Sequence, residues 1–342
     1  MGEKPELCTL SNAPLPFVSS GMDGFWKRGH ARVRRFLVNE KWAIGIVRAP
    51  IWAFLDRSFS PTVQWVGNGG ALGFLADGFG IIDGDRRFIL AERFSYRGSS
   101  HLLSYGRERR MGRGYITSIA LDEFGEIVAE SPAIDTGLHM SYPCTIRDGD
   151  SWFLVAEECS RNKVNLYQRA SNGHWQFAKE LLPYALVDAT VFSYAGQWWM
   201  FGTTCDNPLN ELHIWYADQL RGNWRPHSGN PVRSDLRNSR PGGTPFLMGD
   251  QLYRPTQNCT KTYGGSIVIN RIDKLTHDSF SERAVREVFA PPASPYQDGI
   301  HTLSAFGDWT LIDAKKEVVL PRVLIRKFLR KFPTRWSETS HL

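Results

Sequence analysis

No stretch of the 342 residues approaches the ~20 consecutive apolar residues that a membrane-spanning helix requires. The first thirty residues lack an apolar core preceded by positive charge, so no secretion leader is expected. Cysteine is sparse: Cys8, Cys144, Cys159, Cys205 and Cys259 are scattered and show no CxxC spacing. Their odd number and scatter argue against a disulfide framework or a zinc centre. No His/Asp group has ligand spacing, so neither a metal nor a cofactor is expected. Asn258-Cys259-Thr260 matches a glycosylation sequon, read as incidental without export. Together these absences predict a cytoplasmic protein of a reducing compartment.

What the chain does have is a repeated strand–turn–strand unit. In residues 74–93, FLADGFGIIDGDRRFILAER, Asp77 opens an apolar run, Gly84-Asp85 makes a turn, and a second apolar run ends at Glu92. A hairpin reverses direction, so its first and last residues finish at one end of the sheet. The turn recurs at Gly149-Asp150, Gly196-Gln197, Gly249-Asp250 and Gly307-Asp308, with 47 to 65 residues between successive turns. An aromatic or aliphatic strand follows each one. Five such units predict an all-β fold, a five-bladed β-propeller, with a β-sandwich as the alternative.

The predicted organisation has three parts. Residues 1–40 are irregular and basic. Residues 41–319 form the propeller, with strands at 41–50 and 62–66 completing the last blade and protecting its edge. Outer strands are expected at 124–130 and 212–217. Residues 320–342 are a basic tail, in which Leu320, Val323, Leu324, Phe328 and Phe332 recur at helical spacing among Arg and Lys. A basic amphipathic helix over 320–336 suits an anionic membrane surface; the alternative is a helix docked on the propeller. The formal net charge is +6, but no recognised nucleic-acid module accompanies it, so no nucleic-acid partner is expected.

Ligands of a propeller bind at the mouth of its central channel. Residues opening each inner strand, Asp77, His139, Tyr142, Asp188, Arg240 and His301, are expected there. So are those lying eight residues after each turn glycine: Glu92, Glu157, Thr204 and Gln257. Carboxylates, imidazoles and a guanidinium around a funnel are the composition that holds sugar hydroxyls. Each has an ordinary structural alternative. An Asp at a strand start can bind backbone amides, a His can be a hydrogen-bonded fixture, and Arg240 before Pro-Gly-Gly can bridge blades.

Several of these motifs carry a family resemblance: Leu75-Ala76-Asp77, His139-Met140-Ser141-Tyr142-Pro143, Val187-Asp188-Ala189-Thr190 and Arg240-Pro241-Gly242-Gly243. Tyr253-Arg254-Pro255-Thr256-Gln257, Tyr263-Gly264 and Gly299-Ile300-His301-Thr302-Leu303 complete the set. Over roughly residues 40 to 315 the chain resembles five-bladed propeller glycosidases of the arabinanase, xylosidase and fructosidase type. It resembles more closely the propeller at the N-terminus of plant glucosamine inositolphosphorylceramide transferases and related bacterial proteins. The resemblance implies that Asp77 is a base or nucleophile and that Asp188 tunes acidity. Arg254 and Tyr263 join the substrate-binding set with Glu92, His139, Tyr142, Arg240, Gln257 and His301. The chain departs from the glycosidase pattern at Gly78, where the motif has Pro. Arg240 and Gln257 stand where the acid Glu would be, and Glu157 is the expected substitute on geometric grounds.

Three functions remain open. The first is a membrane-peripheral glycosyltransferase with Asp77 or Glu157 as base or nucleophile. In it Arg240 faces the phosphate of an activated sugar donor, which arginine binds bidentately. The second is a glycoside hydrolase using Asp77, Asp188 and Glu157. The third is a glycan-binding propeller without turnover. All three expect a carbohydrate partner.

Overall fold

The computed structural model describes residues 38–67, 69–70, 72–96 and 112–319. The expected basic N-terminal segment, apart from its last residues, and the amphipathic helix over 320–336 lie outside the described residues.

The chain begins with β1 (Asn39–Val47) and β2 (Val63–Val66), separated by a 3-10 turn at Ile51–Leu55. Blade 1 contains β3 (Gly73–Asp83), β4 (Arg86–Ser95), β5 (Arg113–Leu121) and β6 (Ile127–Ile134). Blade 2 contains β7 (Ser141–Asp148), β8 (Ser151–Glu157), β9 (Val164–Arg169) and β10 (Trp175–Leu182). Blade 3 contains β11 (Leu186–Tyr194), β12 (Gln197–Thr204), β13 (Glu211–Ala217), β14 (Arg225–Pro226) and β15 (Arg233–Ser234). Blade 4 contains β16 (Phe246–Met248), β17 (Gln251–Asn258), β18 (Ser266–Leu275) and β19 (Phe280–Val288). In blade 5, β20 (Gly299–Phe306) and β21 (Trp309–Val318) pair with β1 and β2 in the order β2-β1-β21-β20. The fold is a five-bladed β-propeller.

Glycine sets the hairpins. Gly84, Gly149, Gly249 and Gly307 each take the first turn position with φ between 56° and 66°, the type II′ pattern. The third hairpin differs, because Ala195 and Gly196 both have positive φ, at 51° and 75°, the type I′ pattern. Residues 212–217, expected as an outer strand, lie in the third position, because β14 and β15 extend that sheet. The expected strand at 124–130 starts later, at Ile127. Asp122 Oδ1 accepts the N–H groups of Phe124 and Glu126 and holds the chain in a turn until then.

The core is divided among the seams between blades. Ile44, Ile46, Phe306 and Leu311 of blade 5 pack on Leu75, Ile89 and Ile119 of blade 1. Trp199, Phe201 and Ile214 of blade 3 meet Leu252 and Ile272 of blade 4. Each such side chain stabilises the ring by about 1.5–3 kcal/mol. Gly80 permits the closest approach at the first seam, since a Cβ there would lie 2.1 Å from the Phe306 ring.

Candidate functional site

Inner strands β3, β7, β11 and β20 each carry a register shift near their start: Ala76/Phe79, Ser141/Cys144, Val187/Thr190 and Ile300/Thr302. A bulge re-aims a side chain that the regular pleat would send elsewhere. Asp77 (φ 54°), Tyr142 (φ 48°) and Asp188 (φ 51°) occupy three of these bulges in left-handed backbone. That conformation costs roughly 1–2 kcal/mol for a non-glycine residue, so the surroundings must hold it.

They do so through a ring of hydrogen bonds that passes through all five blades. The N–H of Asp77 donates to Asp313 Oδ2 of blade 5 at 2.9 Å. The N–H of Tyr142 in blade 2 donates to Asp77 Oδ2 at 3.2 Å. The Tyr142 hydroxyl lies 2.9 Å from Thr190 Oγ1 of blade 3. Asp188 Oδ2 accepts from Arg240 Nε (2.5 Å) and Gln257 Nε2 (2.6 Å), both at blade 4. The N–H of Leu303 in blade 5 donates to Gly242 O at 2.9 Å and closes the circuit. One bond crosses the axis: the N–H of Gly243 donates to the Tyr142 hydroxyl at 2.8 Å. Tyr142, expected to bind substrate, is a brace across the centre with its hydroxyl committed to protein partners.

Around that brace lie buried charges. His301 Nδ1 is 2.7 Å from Asp313 Oδ1, and its Nε2 is 3.3 Å from Asp77 Oδ1. Burial, only partly offset by His301, pushes Asp77 up to about 7. Burial alone would lower His301, but the Asp313 and Asp77 carboxylates outweigh it and its pKa is raised. Burial works against an ionised Asp313, yet His301 and the N–H groups donating to it hold its pKa down. The pair thus favours an ionised Asp313 and a protonated His301, with Asp77 poised to gain or lose a proton near pH 7. Glu92 is raised well above the ordinary carboxyl range by burial and then by the charges of Asp77 and Glu157. His139 Nδ1 accepts the N–H of Gly114 at 2.9 Å, so its Nε2 carries the proton and lies 3.8 Å from Glu92 Oε1. Burial lowers His139 to about 4, and it is neutral at pH 7.

Asp77, His301 and Asp313 bring three ligand-type atoms within 4.8 Å of one another, which the sequence reading missed because they are far apart in the chain. The donor set does not fit a cation. Asp313 Oδ1 already accepts from the N–H groups of His301 and Thr302 and faces His301 Nδ1, and Oδ2 accepts from Asp77. The trio fits a hydrogen-bonded relay instead.

Of the expected residues, Asp77, Glu92, Asp188, Arg240, Gln257 and His301 join this buried group, with Glu157 close enough to raise Glu92. Tyr263 stands over it, with Arg240 5.0 Å from its ring and His301 edge-on at 5.3 Å. Arg254 does not join it. Its guanidinium grips Glu282 with two bonds of 2.6 Å inside blade 4. Arg254 and Gln257 stand three positions apart on one strand, which puts them on opposite faces.

Three neighbours were not expected. Asp313 faces His301 Nδ1 and accepts the N–H of Asp77. Trp42 stacks on His301 at 3.8 Å. Lys315, fully buried, donates to Glu40 Oε1 (2.6 Å) and Tyr263 O (2.5 Å). Lys315 lies eight residues after Gly307, the same offset as Glu92 and Glu157, so the counting rule could have found it. Thr204 is displaced from the site because the glycine of its turn comes second, which shifts the count by one.

His139 is more accessible than its carboxylate neighbours, 21% exposed against 7% for Asp77 and 8% for Glu92. Two cavities of about 370 and 390 Å³ lie at the opposite, hairpin-turn end, lined by residues such as Asp148, Trp198 and Arg221, and Asp83, Phe88 and Trp175. Neither touches the charged group.

The chain is thus a five-bladed propeller with a carboxylate-rich group where the inner strands begin. The family model for glucosamine inositolphosphorylceramide transferase 1, N-terminal, matches residues 117–295, more than half of the sequence. The chain belongs to that family. It is 31% identical over 216 residues to glucosamine inositolphosphorylceramide transferase 1 of Oryza sativa subsp. japonica, covering 61% of this chain and 27% of that protein. The protein of the same name from Arabidopsis thaliana is 31% identical over 158 residues, covering 44% of this chain and 20% of that one. The chain thus spans about a quarter of these relatives' length at most. Among solved structures, Zg3597, a family 117 glycoside hydrolase of Zobellia galactanivorans, superposes with a TM-score of 0.51 at 11% identity, covering 80% of this chain and 90% of that one. CoXyl43, a GH43 β-xylosidase/α-arabinofuranosidase from a compost metagenome, gives 0.51 at 11%, covering 72% and 91%. These likenesses concern the fold alone.

Proposed function

We infer that this propeller handles carbohydrate at the inner-strand end and takes part in glycosyl transfer. The observation that carries the reading is the state of Asp77, a buried carboxyl with a pKa of about 7 held between the N–H of Tyr142 and the His301–Asp313 pair. A base works best when its pKa lies near the working pH. Asp77 takes the proton of an acceptor hydroxyl, and His301 stabilises the carboxylate before the proton arrives. Glu92, whose pKa burial raises well above the ordinary carboxyl range, is the matching donor. The family name supports transfer as the reaction type.

Arg240 retains a role towards the phosphate of an activated donor. Its Nε is committed to Asp188, but its terminal nitrogens make only long contacts, 3.3 Å to Pro208 O and 3.4 Å to the Tyr263 hydroxyl. A phosphate leaving group needs little acid assistance, consistent with Arg240 and Gln257 standing where a glycosidase has its acid. Peripheral attachment to an anionic membrane through 320–336 belongs to the same reading. No helix among the described residues is long and apolar enough to cross a bilayer.

The test is to incubate the protein with nucleotide sugars, lipid-linked sugars and glycan acceptors and to follow donor loss and product. Transfer to an acceptor that is abolished in Asp77→Asn supports the reading. Release of free sugar points to hydrolysis, and saturable binding without turnover to a glycan-binding module; either result removes transfer. Unchanged partition onto anionic vesicles after deletion of 320–342 removes the membrane part.

A further inference from the structure

Cys159 and Cys205 are 46 residues apart in sequence, yet their sulfurs lie 2.7 Å from one another. That is closer than two thiol sulfurs rest in simple van der Waals contact. Cys159 follows β8 of blade 2 by two residues and Cys205 follows β12 of blade 3 directly, so the pair bridges adjacent blades at the inner-strand end. Cys159 is buried and packs with Ala185 and Val187, while Cys205 is half-exposed. The Cys159 thiol also points at Glu157 Oε1, 3.7 Å away.

We propose that Cys159 and Cys205 are an oxidative modification site, a dithiol that closes to a disulfide linking blades 2 and 3 beside Glu157. The oxidant is a small disulfide of the glutathione class. Cys205, the accessible thiol, attacks the small disulfide, loses its proton to solvent and releases one equivalent of thiol. Cys159 then attacks the Cys205 sulfur of the mixed disulfide and expels the second equivalent, which takes up the proton lost by Cys159. Two protein thiols are oxidised, one small disulfide is reduced to two thiols, and the electrons balance. Closure removes the S–H that points at Glu157 and cross-links a 46-residue loop, which restricts the unfolded chain. Cys144 in β7 and Cys259 just after β17 are both buried and take no part.

The test uses the full chain treated with millimolar oxidised glutathione, alkylated, and digested without reductant. The expected result is one cross-linked peptide pair joining Cys159 to Cys205, two hydrogens lighter than the separate peptides and reopened by dithiothreitol. Two fewer titratable thiols and a Tm raised by several degrees accompany it. In Cys159→Ser, Cys205 stops at the mixed disulfide with glutathione. Recovery of Cys159 and Cys205 separately alkylated, or a cross-link joining either to another cysteine, overturns the assignment. The readout is covalent, so it stands or falls independently of the carbohydrate reading.

Discussion

The backbone N–H of Tyr142 donates to the side chain of Asp77 across the boundary between blades 1 and 2, at 3.2 Å, and both residues hold left-handed backbone. Two conformationally costly bulges thus support each other. Asp77 gains a fixed donor, and Tyr142 is held so that its ring reaches blades 3 and 4.

If Tyr142 is a brace, deleting its hydroxyl should act on stability first. Tyr142→Phe leaves the buried N–H of Gly243 without this acceptor and removes a partner from Thr190. A buried unpartnered donor costs about 1–3 kcal/mol. Urea unfolding should show a lower midpoint with little change in slope. An unchanged midpoint would mean that the bond across the axis contributes nothing.

Gly243 should tolerate no side chain. Its φ is 125°, and a Cβ would lie 2.0 Å from Leu303 O. Gly243→Ala must part blades 4 and 5, with a loss above 3 kcal/mol or failure to fold. The control is Gly84→Ala, also at positive φ (62°) but with open space around it, where only about 1 kcal/mol of backbone strain is expected. Equal losses in thermal melts would show that the seam is looser than described.

The two histidines of the site should titrate in opposite senses. His139, lowered to about 4 by burial, should remain neutral from pH 5 to 8, and His301, raised through Asp313 and Asp77, should keep its proton to a higher pH than an ordinary imidazole. Imidazole nitrogen shifts in an NMR titration report both. A His139 that titrates near 6.5 would contradict its enclosure.

The fold was legible because its signals are local. A glycine turn between two apolar runs recurs at each blade, and counting from that glycine locates Glu92, Glu157 and Gln257. The same count finds Lys315, provided the last strand is read past Asp313. Asp313 itself occupies no repeated position. Its importance comes from bonds to Asp77, 236 residues away, and to His301 across a bulge, which spacing does not encode. Trp42 reaches the site because β1 pairs with β21, which sets Trp42 opposite Lys315. Arg254 was misplaced by motif membership, where strand alternation would have sent it to the other face.

Stability should fall as pH rises towards neutrality on account of Asp77. Its folded pKa of about 7 exceeds its ordinary 3.8, so the native state binds the extra proton between those values. Stability is then lost as pH rises from about 4 to 7, by at most roughly 1.4 kcal/mol per pH unit. His301 acts in the same direction, since its raised pKa gives stability that is lost as pH rises through it. In Asp77→Asn the slope of unfolding free energy between pH 4 and 7 should become flatter than in the parent protein. Identical slopes would exclude the shift.

Carboxyl ¹³C shifts across a pH titration, with Asp77→Asn as the assignment control, ask most directly whether Asp77 is the poised base. An aspartate resonance with its midpoint near 7, absent from Asp77→Asn, is the expected result. Titration of every aspartate below pH 5 would contradict it and remove Asp77 as a base poised near neutrality.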